Sequence, residues 1–209
     1  MGQTNTAVTM MEQQKEGGRT VKAWVQANRG RLFEELITMA NVQYRKKRIA
    51  VIHKVPTAWL PLRNAQGKIV SAKVEEKAAV DFMGSYSGRA IAFDAKHSSQ
   101  ERIRWDRIED HQAQFLEDWE RSGGISFVLV GFKMDRYFVI PWAAWRERFF
   151  NWKHKKGAAS ITAKQMQPQW EVQSNSRVVV DYLRTVDRLI KEGEICLEKR
   201  GKEKSTAEK

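Results

Sequence analysis

Two short apolar runs, "ISFVLVGF" (125–132) and "RYFVI" (136–140), parted only by "KMD", constrain this chain more than any other feature. Both are rich in β-branched and aromatic residues and too short to read as helices, so they predict a buried β-hairpin. Upstream, "IAVIHK" (49–54) predicts a strand stopped by Pro56, and residues 58–77 alternate loosely about a turn at Asn64–Gly67, as in a second hairpin. "VDFMG", a turn at Ser85–Gly88 and "RAIAFDAK" supply two more strands. Helical spacing of Leu32, Phe33, Leu36, Ile37, Ala40 and Tyr44 predicts a helix over Arg29–Lys47, capped by Asn28. Ile108, Gln112, Phe115, Leu116 and Trp119 mark another from Asp106 to Ser122, ended by Gly123 and Gly124. Pro141 opens a helix rich in Trp and Phe, and Val178–Ile190 form a last amphipathic one. The order is that of a mixed α/β domain.

Within 209 residues no repeat and no long Pro/Gly linker appears. The reading is therefore one domain over residues 21–192, with a flexible arm at 1–20 and a charged tail at 193–209. An aromatic share of 10%, with eight Trp, excludes a disordered chain. The lone Cys196 can form no intramolecular disulfide, and the first 25 residues lack the apolar stretch of a secretory signal, so the expected compartment is the cytoplasm. No apolar run approaches the ~18 residues of a membrane span, which excludes a membrane-spanning role.

Charge is placed unevenly. Lys and Arg number 37 against 25 Asp and Glu, a net of +12, and the two ends hold only +1 each. Residues 45–77 carry nine bases against Glu75 and Glu76, and residues 136–156 carry six against Glu147. Clustered positive charge away from the ends predicts a polyphosphate partner, although solvated faces of a basic protein give the same count.

The chemistry lies in "VDFMGSYSGRAIAFDAKHSS". Asp94 and Lys96, two apart on one strand, point to the same face, and a turn before them folds Asp81 back toward the pair. Two carboxylates and an ammonium are what metal-assisted phosphodiester cleavage requires, the carboxylates holding a hard divalent cation and the lysine assisting at water or phosphate. Spacing alone equally fits a surface ion pair across a hairpin.

This arrangement resembles the PD-(D/E)xK restriction-endonuclease-like nucleases, and more narrowly the RecU Holliday junction resolvases of Gram-positive bacteria and their phages. The resemblance runs from about Asn28 to Leu183 through "NRGRLFEE", "IAVIHKVPT", "VDFMGSYSGRAIAFDAK", "EDHQ", "GISFVLVGF" and "RVVVDYL". It implies a mixed central sheet flanked by helices, with a protruding β-hairpin stalk over about 58–79. It implies that Asp81 and Asp94 ligate Mg²⁺, with Mn²⁺ as substitute, that Lys96 is the catalytic lysine, and that Glu34 adds a further acid. Gln112 matches the family's helix glutamine. DNA contacts fall to Arg31, Lys46, Lys47, Lys54, Thr57, Arg63, Lys68 and Lys73, with Arg63–Lys68 at the stalk tip and Lys54 and Thr57 at its base. The implied activity is paired nicking of four-way junctions by a homodimer in recombination and repair, in a bacterial cytoplasm or that of a phage host. In the family the second acid is usually Glu, one methylene longer than Asp94, and the segment before Asp81 is hydroxyl-rich where this chain has "KAAV".

Other chemistries find less support. His53, His97, His111 and His154 lie at no ligand spacing with one another or with Cys196, so zinc is not expected, and His97 reads as solvent-exposed. Ser98 and Ser99 lack a nucleophile elbow, and no Gly-rich phosphate loop appears, so no nucleotide cofactor is expected. Trp142, Trp145 and Trp152 read as core. Two further readings stay open at this point: a non-catalytic architectural DNA-binding protein, and a duplex-cutting nuclease of the same fold.

Overall fold

The structure, a computed structural model, describes residues 29–173 and 177–197. The expected N-terminal arm, the Asn28 cap and the tail beyond residue 197 lie outside the described residues.

The hairpin of the two apolar runs is present, and it closes one side of a five-stranded sheet. Strand β1 is Ala50–Lys54, β4 is Phe82–Tyr86, β5 is Arg89–Ser98, β7 is Ile125–Phe132 and β8 is Arg136–Pro141, in the order β1-β4-β5-β7-β8. Between them in the chain, β2 (Ala58–Arg63) pairs with β3 (Ile69–Glu76), and the short β6 (Arg102–Arg104) pairs with β9 (Ser160–Thr162). β5 and β7 are parallel and the other neighbours of the large sheet antiparallel, so the sheet is mixed. A parallel pair needs a crossover, and helix α2 (Asp110–Arg121) provides it. β7 is buried at all eight positions, as a central strand covered on both faces must be.

Helix α1, described over 29–46, and α4 (Tyr182–Lys191) cover one face. There Phe93 stacks between Phe82 and Phe127 at centroid distances of 5.1 and 4.6 Å, and Tyr182 meets it at 5.1 Å. α1 lies close because residue 131 is glycine: a Cβ there would sit 2.9 Å from the Phe33 ring. Helix α2 and α3 (Trp142–Lys153) cover the other face, where Leu116, Trp142 and Trp145 are buried as expected. Among the described residues no helix is long and apolar enough to cross a membrane.

Three boundaries move from their expected places. The β4–β5 turn is the two residues Ser87 and Gly88, with φ of 49° and 74°, the pair of positive values that a tight twisted hairpin demands. α2 begins at Asp110 and not Asp106, because Glu109 and Gln112 form a reciprocal capping box. The preceding Trp105–Arg107 is a 3₁₀ turn, pinned where the buried Trp105 donates to Ala158 O at 2.9 Å. α4 begins at Tyr182 and not Val178, since the backbone before it bonds to α1: Val179 N donates to Gln43 Oε1 at 2.9 Å, and the Tyr44 hydroxyl donates to Asp181 Oδ1 at 2.9 Å.

The β2–β3 hairpin stands out from the body as expected. Every residue of β2 is exposed, and its strands pair only with each other. At its tip Asn64 Oδ1 accepts from Gln66 N and Lys68 N at 3.1 and 3.0 Å, and Gly67 takes φ 77°.

Candidate active site

Alternation along β5 sends Phe93 into the α1 side of the sheet and Asp94 and Lys96 into the α2 side. Phe82 stands opposite Phe93 in the antiparallel register, so Asp81, one step further on, comes opposite Asp94. Its Oδ2 accepts from Ala95 N at 2.8 Å, and its backbone carbonyl accepts from Val55 N at 2.8 Å, which locks it across the strand from Asp94. Asp94 is 0% exposed. Its Oδ2 is ion-paired with Lys96 Nζ, yet no donor is aligned on that oxygen for a hydrogen bond. Its Oδ1 accepts from Gln112 Nε2 at 2.7 Å.

The capping box explains how Gln112 comes to do this. Gln112 is the third residue of α2, and its Oε1 accepts from Glu109 N at 3.1 Å. That bond commits the carbonyl end of the amide to the helix cap and leaves the NH₂ end to face Asp94.

Burial is the largest influence on Asp94 and raises its pKa to about 7; the Asp81 carboxylate pushes the same way, and Lys96 pulls against both. Two carboxylates held this close repel unless a cation lies between or beside them. Two acids on one face are a hard oxygen donor set, and the pair fits a divalent cation. The fit rests on two acids: among the described residues no group of three His, Cys, Asp or Glu gathers to hold a metal.

Glu34 therefore does not join the trio. Its Oε2 pairs with Lys54 Nζ at 2.6 Å, and Lys54 stands in register with Phe82, whose side chain points away from the face bearing Asp81. His97 is also not where it was expected. It is 5% exposed, packed 6.1 Å from Phe33, because the inward alternation of Ile91, Phe93 and Ala95 continues one step further.

The expected DNA contacts scatter around this centre. Arg31 pairs with Glu35 on exposed α1, Lys46 is exposed, and Lys47 donates to Arg177 O at 2.5 Å. Thr57 lies exposed at the foot of the stalk, and Arg63 donates to Gly67 O at 2.8 Å across its tip. Lys68 and Lys73 are exposed along it. The stretch 136–156 is a different matter, since Arg136 pairs with Glu171, Arg146 with Glu117 and Glu120, and Lys153 with Asp110.

Residues 28–188 match the family described as RecU, Recombination protein U. The Leuconostoc mesenteroides Holliday junction resolvase RecU is 29% identical over 196 residues, covering 90% of this chain and 94% of that one. The Leuconostoc citreum protein of the same name is 30% identical over 183 residues, 83% and 87% of the two chains. Among solved structures, Archaeoglobus fulgidus Hjc, a Holliday junction resolvase, overlaps at a TM-score of 0.36 and 12% identity over 52% of this chain and 76% of that one.

Proposed function

From its membership of the RecU family, to which the chain belongs, we propose that this protein resolves four-way DNA junctions by hydrolysing phosphodiesters at the Asp81–Asp94–Lys96 centre. The observation that carries the reading is the cross-strand pair of aspartates, one of them buried and held by Gln112, with a lysine on the same face. Asp81 and Asp94 would hold Mg²⁺, for which Mn²⁺ is a chemically close replacement. The bound cation supplies polarisation of the scissile phosphate and a lowered pKa for an attacking water.

The side chains do the rest. Ala95 N fixes the angle of Asp81, and Gln112 fixes that of Asp94 and favours its ionised form. Lys96, ion-paired with Asp94 on the same face, is the ammonium that would turn to the phosphate or the attacking water were a cation to take over the neutralisation of Asp94. Two strands must be nicked symmetrically to resolve a junction, so a C2 homodimer bearing two such centres is the assembly that fits the reaction.

The test is a nicking assay on an immobile four-way junction beside a linear duplex, with and without Mg²⁺. Wild type nicks the junction in paired fashion only with metal. Asp81→Asn, Asp94→Asn and Lys96→Ala each lower cleavage by orders of magnitude while junction affinity in EDTA stays near wild type. Junctions bound but left intact in Mg²⁺ or Mn²⁺ would favour an architectural role instead, and equal cutting of duplex would favour a duplex nuclease.

A further inference from the structure

Two residues beyond Lys96, β5 opens onto a pocket of about 370 Å³ lined by Ser98, Ser99, Gln100, Arg102, Arg104 and Arg107 among others. Ser99 also lines a second pocket, of about 290 Å³, with Arg29, His97 and Lys133. No carboxylate lines either one. Arg104 is neutralised by Asp106, and Lys133 by Glu101. Arg29, Arg102 and Arg107 have no carboxylate within ion-pair distance among the described residues and are exposed. Of the two, only the second is lined by His97, which packs against Phe33 on the other face of β5. Burial holds the pKa of this ring down, and the positive fields of Arg29 and Arg107 push the same way.

Guanidiniums without carboxylates, hydroxyls and an amide are the complement of an anion with several oxygens. The location says which anion. Ser98 shares the face of Asp94 and Lys96, and two strand residues advance ~7 Å, about two steps of nucleic-acid rise. We infer that the strip Ser98–Gln100–Arg102–Arg107 grips the DNA backbone phosphates one to two nucleotides from the phosphate that is cut. The inference rests on the nuclease reading for the place of the cut, and not for the existence of the strip.

The test pairs Arg102→Gln/Arg107→Gln with wild type; Arg102→Gln alone serves if the double variant melts early. Affinity for a labelled junction and for a linear duplex is measured in EDTA across salt concentration. The double variant binds both DNAs about tenfold more weakly at 0.1 M salt, and its log K against log salt is shallower by about 1.8, two phosphate contacts at ~0.9 each. An unchanged slope and affinity overturns the strip. A second arm places one neutral methylphosphonate linkage one or two nucleotides from the mapped nick. It weakens wild type and adds nothing to the double variant's loss; equal further loss in both proteins overturns the strip's position. Wild type that leaves junctions intact in Mg²⁺ defeats the nuclease reading, and the salt slope still decides the strip.

Discussion

Gln112 carries two duties on one amide, and they are coupled. Its carbonyl end caps α2 and its NH₂ end steadies the ionised Asp94. In Gln112→Ala both bonds go, so Asp94 holds its proton more tightly and the acid limb of the pH–rate profile moves to higher pH, while stability falls by about 1–2 kcal/mol. A profile unmoved in pH but lowered throughout would assign the residue to the cap alone. Asp94 itself gives a second prediction. Its carboxyl titrates near pH 7 in the metal-free folded protein, against an ordinary value of 3.8. The folded state therefore binds this proton where the unfolded chain does not. The resulting stabilisation is whole below about pH 4 and is lost as pH rises through about 7. Melting curves in EDTA from pH 4 to 8 should show wild type losing stability over that window and Asp94→Asn, with a neutral side chain of the same size, losing less. Added Mg²⁺ should restore wild type at pH 8 and leave Asp94→Asn unmoved. At this scale the period of two along β5 made Asp94 and Lys96 legible from sequence, and followed one residue further it places His97 inside. Neither the capping box reaching Asp94 nor the engagement of Glu34 by Lys54 can be read that way, since each depends on where a helix docks.

The elements divide into those whose own pattern fixes them and those fixed by neighbours. β7 is apolar at every position but Ser126 and Gly131, so its central place was legible. The start of α4 was not, because Val178–Asp181 continue the helical apolar pattern while Tyr44 and Gln43 hold that backbone in another shape. The small β6–β9 sheet was missed for a like reason: three-residue strands 56 residues apart carry no period of their own. The stalk was legible from its turn and its loose alternation, and its isolation in the fold supports a prediction. Two strands of six and eight residues extend ~20 to ~26 Å at ~3.3 Å per residue and bury no side chain of β2. Replacing residues 60–71 by a short Gly-Ser turn should leave the melting temperature within about 2 °C of wild type. It should lower junction affinity far more than duplex affinity, because only a junction offers a central opening lined by converging phosphates. Equal loss on both DNAs would make the hairpin a general phosphate contact.

At the scale of the whole molecule, the net charge of +12 conceals two kinds of basic surface that the sequence could not tell apart. Both basic stretches are dense in Lys and Arg, and only the partners brought by the fold separate them. In 136–156, Arg136, Arg146 and Lys153 are each held by a carboxylate: Arg146 binds Glu117 and Glu120, and it is mostly buried beside Trp142 Nε1, which donates to Glu117 at 2.9 Å. In 45–77, Arg45, Lys46, Lys68 and Lys73 are exposed and have no carboxylate partner among the described residues. A charge already neutralised within the protein has little counterion-releasing power, whereas a free one retains all of it. The two stretches should thus answer opposite measurements. Arg45→Gln/Lys46→Gln should make the salt dependence of junction binding shallower by up to about 1.8 in log–log slope, with melting unchanged. Arg146→Gln should leave the slope alone and lower the melting temperature by several degrees, since it removes the mostly buried cation shared by Glu117 and Glu120, a loss of about 1–3 kcal/mol that the exposed Arg121 beside Glu117 only partly offsets. Should Arg146→Gln flatten the slope while melting normally, the α2–α3 face would itself belong to the DNA-binding surface, and the ion pairs there would be contacts that DNA exchanges for its own.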